Sequence, residues 1–294
     1  MNRCPKCMGW THLHMYGCEM QSPLVSCICI TQNRRFYLRR AIEYWKRAVL
    51  LYHNTELVIL DGSLEPNSLF PKPGVVFIPG TGSIWYHHLP NASHSRTGWF
   101  HNEACARAKG DIIIQWDDDD WQSPARIVAQ ASTIIGSEKP EETFTFTSRF
   151  YWYALQQRKA ALSRTWDLAG EGSCGAMFAY HRKVWEKVPF RDVSQGEDSL
   201  FWSDARQAGI GFVDMRDPTF CIYMRHNQNG SHDTGLDYSD EATTVARSLM
   251  GLDLEWYDEL AEILPTNVWL QNDRRQYGVL GPYGNMRPQG WSRR

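Results

Sequence analysis

Four consecutive carboxylates, Asp117-Asp118-Asp119-Asp120, follow directly on the apolar run Ile112-Ile113-Ile114-Gln115-Trp116. Folding holds such neighbours together against their mutual repulsion, and a bound cation relieves that repulsion where water cannot screen it. In an extended stretch alternate side chains share a face, so Asp117 and Asp119 point the same way. One or two carboxylates completed by phosphate oxygens and water is the usual manner of holding Mg2+ or Mn2+. An EF-hand is excluded, because its loop glycine and terminal glutamate are missing. The alternative is a solvated acidic turn, which the flanking Trp116 and Trp121 weigh against.

A second group of ligating residues crowds the first twenty positions: Cys4, Cys7, His12, His14 and Cys18. Cys4-x-x-Cys7 has the spacing of a structural zinc knuckle, and Cys18 with His12 or His14 would complete four ligands for Zn2+. Incidental thiols near a chain end, or a redox pair, are the alternatives. Cys27, Cys29, Cys105, Cys174 and Cys221 lie in apolar segments and are expected to pack as small hydrophobes.

The elements that must position the acidic run alternate. Leu24 to Ile30 reads as a strand; Leu38, Ala41, Ile42, Trp45 and Val49 then recur at helical spacing. Strands are predicted at Glu56 to Leu60, which stops at Asp61-Gly62-Ser63, and at Val75 to Ile78. A helix from His101 to Lys109, closed by Gly110, leads into the strand Asp111 to Trp116. Further strands are expected at Cys174 to Tyr180 and Phe220 to Met224, with a helix from Asp198 to Ala208 closed by Gly209 and a helical stretch from Tyr238 to Leu264. This order argues for an α/β fold with a mostly parallel sheet flanked by helices, whose ligands gather at the carboxyl ends of the strands.

Hydrophobic content of 43% and charged content of 22% suit a globular chain of 294 residues, so wholesale disorder is excluded. A formal charge of −2 gives no global attraction to nucleic acid or anionic membrane, although the Arg-rich tail keeps a nucleic-acid acceptor open. Thirteen tryptophans serve either the core or the stacking of sugar rings. No apolar run approaches the ~18–20 residues that span a bilayer. The first residues lack the layout of a signal peptide, so a cytoplasmic location is the expectation.

Five segments, in order, resemble the family 2 glycosyltransferases of the GT-A fold. PLVSCICITQNRRFYLRRAIEYW is similar to that family's first strand, nucleotide loop and helix; ELVILDGS is similar to its second strand. AKGDIIIQWDDDDWQSP resembles its D-x-D segment, GSCGAMFAYHRKVW its acceptor-side strand, and GEDSLFW the segment with the catalytic base. The resemblance divides the chain into a knuckle at 1–22, a transferase domain at 23–232 (nucleotide half 23–121, acceptor half 122–232) and a helical or irregular extension at 233–294.

That resemblance implies an inverting transfer from a nucleotide-diphosphate sugar, with UDP favoured. Thr31, Asn33 and Asp61 would then contact the nucleoside, Asp61 accepting from a uracil N3–H. Asp117 would lie near the ribose and Asp119 on the metal, with Asp118 assisting. Asp198, in the first turn of a helix where the dipole favours the ionised form, would be the general base, and Glu197 would orient the acceptor. Arg225 would serve the diphosphate and His226 the metal or the diphosphate. The family's basic pair before the D-x-D strand is replaced by Trp99-Phe100-His101-Asn102, so Arg96 or His101 would have to substitute. A nucleotidyltransferase and a catalytically silent sugar-nucleotide binder are the competing readings; TQNRR lacks the glycines of the former.

Overall fold

A computed structural model describes residues 22–70, 74–78, 82–90, 96–163, 175–226 and 237–263. The Cys4, Cys7, His12, His14 and Cys18 group and Cys174 lie outside the described residues. In chain order the strands are β1 Val25–Thr31, β2 Thr55–Asp61, β3 Gly74–Ile78, β4 Gly82–His88, β5 Ile112–Gln115, β6 Trp121–Gln122, β7 Thr143–Phe146, β8 Tyr151–Ala154, β9 Lys159–Leu162, β10 Ala179–His181, β11 Gly211–Asp214 and β12 Cys221–Arg225. The helices are α1 Arg35–Val49, α2 Thr97–Arg107, α3 Arg126–Ile135, α4 Arg182–Lys187, α5 Glu197–Gln207, α6 Asp240–Met250 and α7 Asp253–Ile263.

Eight strands form one sheet in the order β11-β7-β10-β5-β1-β2-β4-β3, and β6-β12-β8-β9 form a second. In the large sheet β1 pairs in parallel with both β2 and β5, and β2 with β4. Only β10 and the edge strand β3 run against the rest. The expected mostly parallel α/β sheet is therefore present, and β2 is buried along its whole length, as a doubly covered strand must be.

Alternation along the strands divides the core. Cys27, Cys29, Leu57, Ile59, Ile112 and Ile114 face α1 and α3. Ile28, Val58, Leu60 and Ile113 face α2 and α5, where Phe100, Phe144, Phe178, Phe201 and Trp202 fill the space. The helical stripe of α1 is buried as its spacing predicts, with Leu38, Ala41, Trp45 and Val49 inside. Helices α6 and α7 contribute Ala242, Ala246, Met250, Tyr257 and Leu260 to the same cluster as α1. Asp253 ties them down: it accepts from Arg40 Nη2 at 2.7 Å, from Arg47 at 2.8 and 2.9 Å, and from Trp121 Nε1 at 3.1 Å.

Two local readings change, and a third holds. The predicted strand from Cys174 to Tyr180 is, over its described part, a short 3-10 turn at Gly175–Met177 followed by β10; the turn brings the Gly175 backbone against Asp198. Gly110 does not close α2, which ends at Arg107. Its lack of a side chain admits the β1 backbone instead, since a Cβ there would sit 2.4 Å from the Leu24 carbonyl oxygen. Gly209 does follow α5 with a φ of +76°, the left-handed C-terminal position that favours glycine.

Candidate active site at the junction of the two sheets

The chain leaves β1 toward β2 on one side and returns to β5 on the other, so the sheet's direction of winding changes between β1 and β5. Crevices at such switch points are where open α/β sheets bind ligands. Thr31 and Asp61 end β1 and β2 as register partners, and Trp116 N donates to Ile28 O at 2.8 Å to carry the β5 pairing one step further. The acidic run then crosses from the large sheet into β6, which pairs antiparallel with β12. Both sheets thus converge on residues 117–120.

Each aspartate has its own surroundings. Asp118 accepts from Thr31 Oγ1 at 2.6 Å and from Arg34 Nη1 at 3.0 Å. Asp119 Oδ2 accepts from the same Arg34 nitrogen at 2.7 Å and lies 3.0 Å from His226 Nε2. Asp120 Oδ1 accepts from Met224 N at 2.9 Å, whereas its buried Oδ2 has no hydrogen-bond partner among the described residues. Asp117, Asp119 and Asp120 each place a carboxylate oxygen within 4.8 Å of the others. The common face expected for Asp117 and Asp119 is thus joined by Asp120, while Asp118 turns to Thr31 and Arg34.

The electrostatics record a shortage of positive charge. Burial, reinforced by Asp119 and Asp118, pushes Asp117 up to about 7. Burial also raises Asp118, to about 6, although Arg34 opposes it. Asp120 is pushed well above the carboxylate range by burial and by Asp119 and Asp117. At Asp119 burial is outweighed by Arg34 and His226, and the carboxyl is held at about 2. Three crowded hard oxygen donors, one of them unpartnered among the described residues, with an imidazole beside them, fit a divalent cation of the Mg2+ or Mn2+ type.

Glu197 and Asp198 open α5 behind Gly196, whose φ of 70° turns the chain into the helix. Asp198 accepts from Gly175 N at 3.1 Å and Ser199 N at 2.7 Å; burial raises it and these amides oppose that. Glu197 is pushed up to about 8 by burial, then by Asp198, and also by Asp117. The head of α5 and the acidic run therefore feel one another's charge.

The remaining expected residues fall into two groups. His101 Nε2 stands 3.8 Å from Glu197 Oε1, with its ring stacked on Phe190; burial lowers it to about 4, so it is neutral at pH 7. Arg96 donates to the Asp192 carbonyl at 2.7 Å, on the loop leading to α5. Both substitutes for the missing basic pair are thus tied to the α5 side, and Arg34 is an arginine that does pair with the acidic run. Sequence reasoning passed over Arg34 as part of a polar loop; the usable signal was its place three residues after the end of a buried strand. His226 does reach the acidic run, stacked on Tyr37 with ring centroids 4.6 Å apart. Arg225 lies over the Trp152 ring at 5.2 Å. Asn33 adopts a φ of 56° and donates its backbone N–H to Ser63 Oγ at 2.7 Å. Asp61 is 1% exposed, with Oδ1 accepting from Ser63 N at 2.9 Å and Oδ2 from Tyr86 OH at 2.6 Å. Its carboxylate organises the turn after β2.

No family model matches the chain, and no curated protein matches it. Solved structures similar to it include S. aureus TarS 1–349, at 13% identity and TM-score 0.46, over 68% of this chain and 60% of that one. The same protein in complex with UDP aligns at 13% identity and TM-score 0.48, over 85% of this chain and 72% of that one. The mannosyltransferase PcManGT from Pyrobaculum calidifontis, in complex with GDP-Man and Mn2+, aligns at 12% identity and TM-score 0.48, over 83% of this chain and 74% of that one. Likenesses this distant carry neither substrate nor mechanism to the present chain.

Proposed function

We propose that the chain is an inverting glycosyltransferase of the GT-A type, resembling family 2, that moves a sugar from a UDP-sugar donor to an acceptor hydroxyl. The observation that carries this reading is the cation-sized group of carboxylates, with an Asp120 oxygen unpartnered among the described residues, at the switch point of the large sheet; the carboxylate pair heading α5 lies near enough for Asp117 to contribute to the raising of Glu197. Asp117, Asp119 and Asp120 would hold Mn2+ or Mg2+, with His226 beside Asp119. When bound, the cation supplies Lewis-acid stabilisation of the charge on a departing diphosphate. Thr31 and the Asn33 turn border the nucleoside end, and Asp61 shapes that border through Ser63.

Asp198 takes the proton of the acceptor hydroxyl, its oxygens aimed by the Gly175 and Ser199 amides. Glu197, protonated at neutral pH, donates a hydrogen bond to the acceptor and so orients it. A single displacement, in which the acceptor oxygen attacks the anomeric carbon as Asp198 takes its proton and the nucleoside diphosphate leaves, inverts that centre and needs no carboxylate nucleophile. The acceptor stays open among saccharides, lipids, proteins and nucleic acid. The test is hydrolysis of UDP-sugars with Mn2+, paired with an acceptor screen read by mass spectrometry. Asp119→Ala should abolish hydrolysis, and Asp198→Asn should retain donor binding yet lose transfer. Turnover by Asp119→Ala at the wild-type rate refutes the metal site; transfer by Asp198→Asn refutes the base.

A further inference from the structure

We propose that His101 is a positioning residue for Glu197: it carries its ring hydrogen on Nε2 and donates it to Glu197 Oε1. The proton of Glu197 then sits on the other carboxyl oxygen and meets the acceptor. This rests on the acceptor-orienting role of Glu197 given above and assigns the residue that fixes it.

His101 lies on α2, and its imidazole stacks on Phe190 with centroids 4.6 Å apart and planes 19° from parallel. Phe190 stacks in turn on Phe201 of α5, at 4.1 Å. The next residue of α2 fixes that phenylalanine by its backbone. Phe190 N donates to Asn102 Oδ1 at 3.0 Å, and Asn102 Nδ2 donates to Phe190 O at 2.8 Å. Gly98 N donates to Val193 O at 3.0 Å, and a Cβ at Gly98 would meet the Arg191 carbonyl oxygen at 1.9 Å. The start of α2 and the loop into α5 are therefore one unit. That unit sets His101 beside Glu197, with Nε2 standing 3.8 Å from Oε1.

The two ring nitrogens meet different surroundings. Nδ1 is buried and has no hydrogen-bond partner among the described residues, whereas Nε2 faces a carboxyl oxygen. Buried N–H groups without an acceptor are rarer in folded proteins than acceptors short of a donor, so the single hydrogen of the neutral ring belongs on Nε2. The separation is slightly longer than a hydrogen bond, and contacts of this kind tighten when substrate binds. The charges acting on Glu197 are Asp198 on its own helix and Asp117 from the acidic run, and both oppose its ionisation. A neutral donor from α2 leaves that balance in place. A permanently charged arginine at the same position would favour the carboxylate and remove the proton that the acceptor needs.

The experiment is NMR of the full chain with isotope-labelled histidine, whose ring nitrogens report which of them bears the hydrogen. The signal missing from His101→Gln or His101→Phe is that of His101. At pH 7 the hydrogen should be on Nε2 alone; a hydrogen on Nδ1, or on both nitrogens, overturns the proposal. The two variants then separate donor from packing, because His101→Gln keeps an N–H near the Nε2 position and His101→Phe keeps the stack on Phe190. In hydrolysis of a UDP-sugar with Mn2+, His101→Phe should lower kcat by on the order of ten-fold with KM unchanged, the loss of one hydrogen bond. His101→Gln should keep more of the rate than His101→Phe; the opposite order overturns the donor role and leaves the ring as packing. If the wild type hydrolyses no UDP-sugar, the transferase reading falls, while the position of the hydrogen still decides the contact with Glu197.

Discussion

Asp253 offers the sharpest test of how the C-terminal helices are joined to the site. It is 4% exposed and accepts four hydrogen bonds, three from Arg40 and Arg47 and one from Trp121, the residue directly after Asp120. Asp253→Ala leaves two guanidinium groups and an indole N–H without their acceptor. Removing one partner of a buried pair costs ~3–5 kcal/mol. The Arg40 and Arg47 side chains are 20% and 46% exposed and regain some hydration, which points to about 3 kcal/mol, the low end of that range. For a domain of this size that corresponds to a fall in Tm of roughly 6–12 °C. The assay is urea unfolding in EDTA at pH 7, with the slope checked against wild type so that the midpoint reports stability. Asp204→Ala is the internal comparison, because it breaks a pair with Arg191, whose side chain is 56% exposed, and should change stability by less than ~1 kcal/mol. A loss in Asp253→Ala no larger than in Asp204→Ala would refute the claim that this cluster binds α7 to α1.

Two further outcomes follow from the site. Thr31→Val removes the hydroxyl donor from buried Asp118 and should destabilise the metal-free protein by ~1–3 kcal/mol, while Thr31→Ser should be close to wild type in a thermal melt. Glu197 holds its proton to about pH 8 in the native state against an ordinary 4.5, so its contribution to stability is complete below about 4.5 and is lost as pH rises through about 8. Glu197→Gln, a mimic of the protonated form, should flatten the fall in stability between pH 5 and 8; equal slopes for the variant and wild type in urea titrations would contradict the burial argument.

The parts of this fold that could be read in the sequence are those where burial acts uniformly. Strands β1, β2 and β5 are apolar on both faces, and α1 repeats its apolar residues at one spacing, so composition and periodicity point to the same element. Strand β4, Gly82–His88, escaped notice because only Ile84 and Tyr86 are fully buried and its other face carries Ser83, Trp85 and His87. The second sheet escaped because β6, β8 and β9 span two, four and four residues, too short for a period to emerge. Among site residues the acidic run announced itself by charge density. Arg34 did not, since an arginine in a polar loop looks solvated until strand pairing sets that loop against the carboxylates. The engagement of Asp61 with Tyr86 is likewise a product of pairing, as β2 and β4 align Leu60 and Asp61 with His87 and His88.

The four described cysteines, Cys27, Cys29, Cys105 and Cys221, are free and buried, and burial pushes Cys27 and Cys105 up to about 12. They sit in three separate parts: two on the central strand, one on a covering helix and one in the smaller sheet. A thiol in that condition is inert to alkylating reagents until its surroundings open. The chain thus carries its own set of clocks, and the order in which peptides bearing these sulfurs become labelled would reveal whether the smaller sheet breathes independently of the larger one.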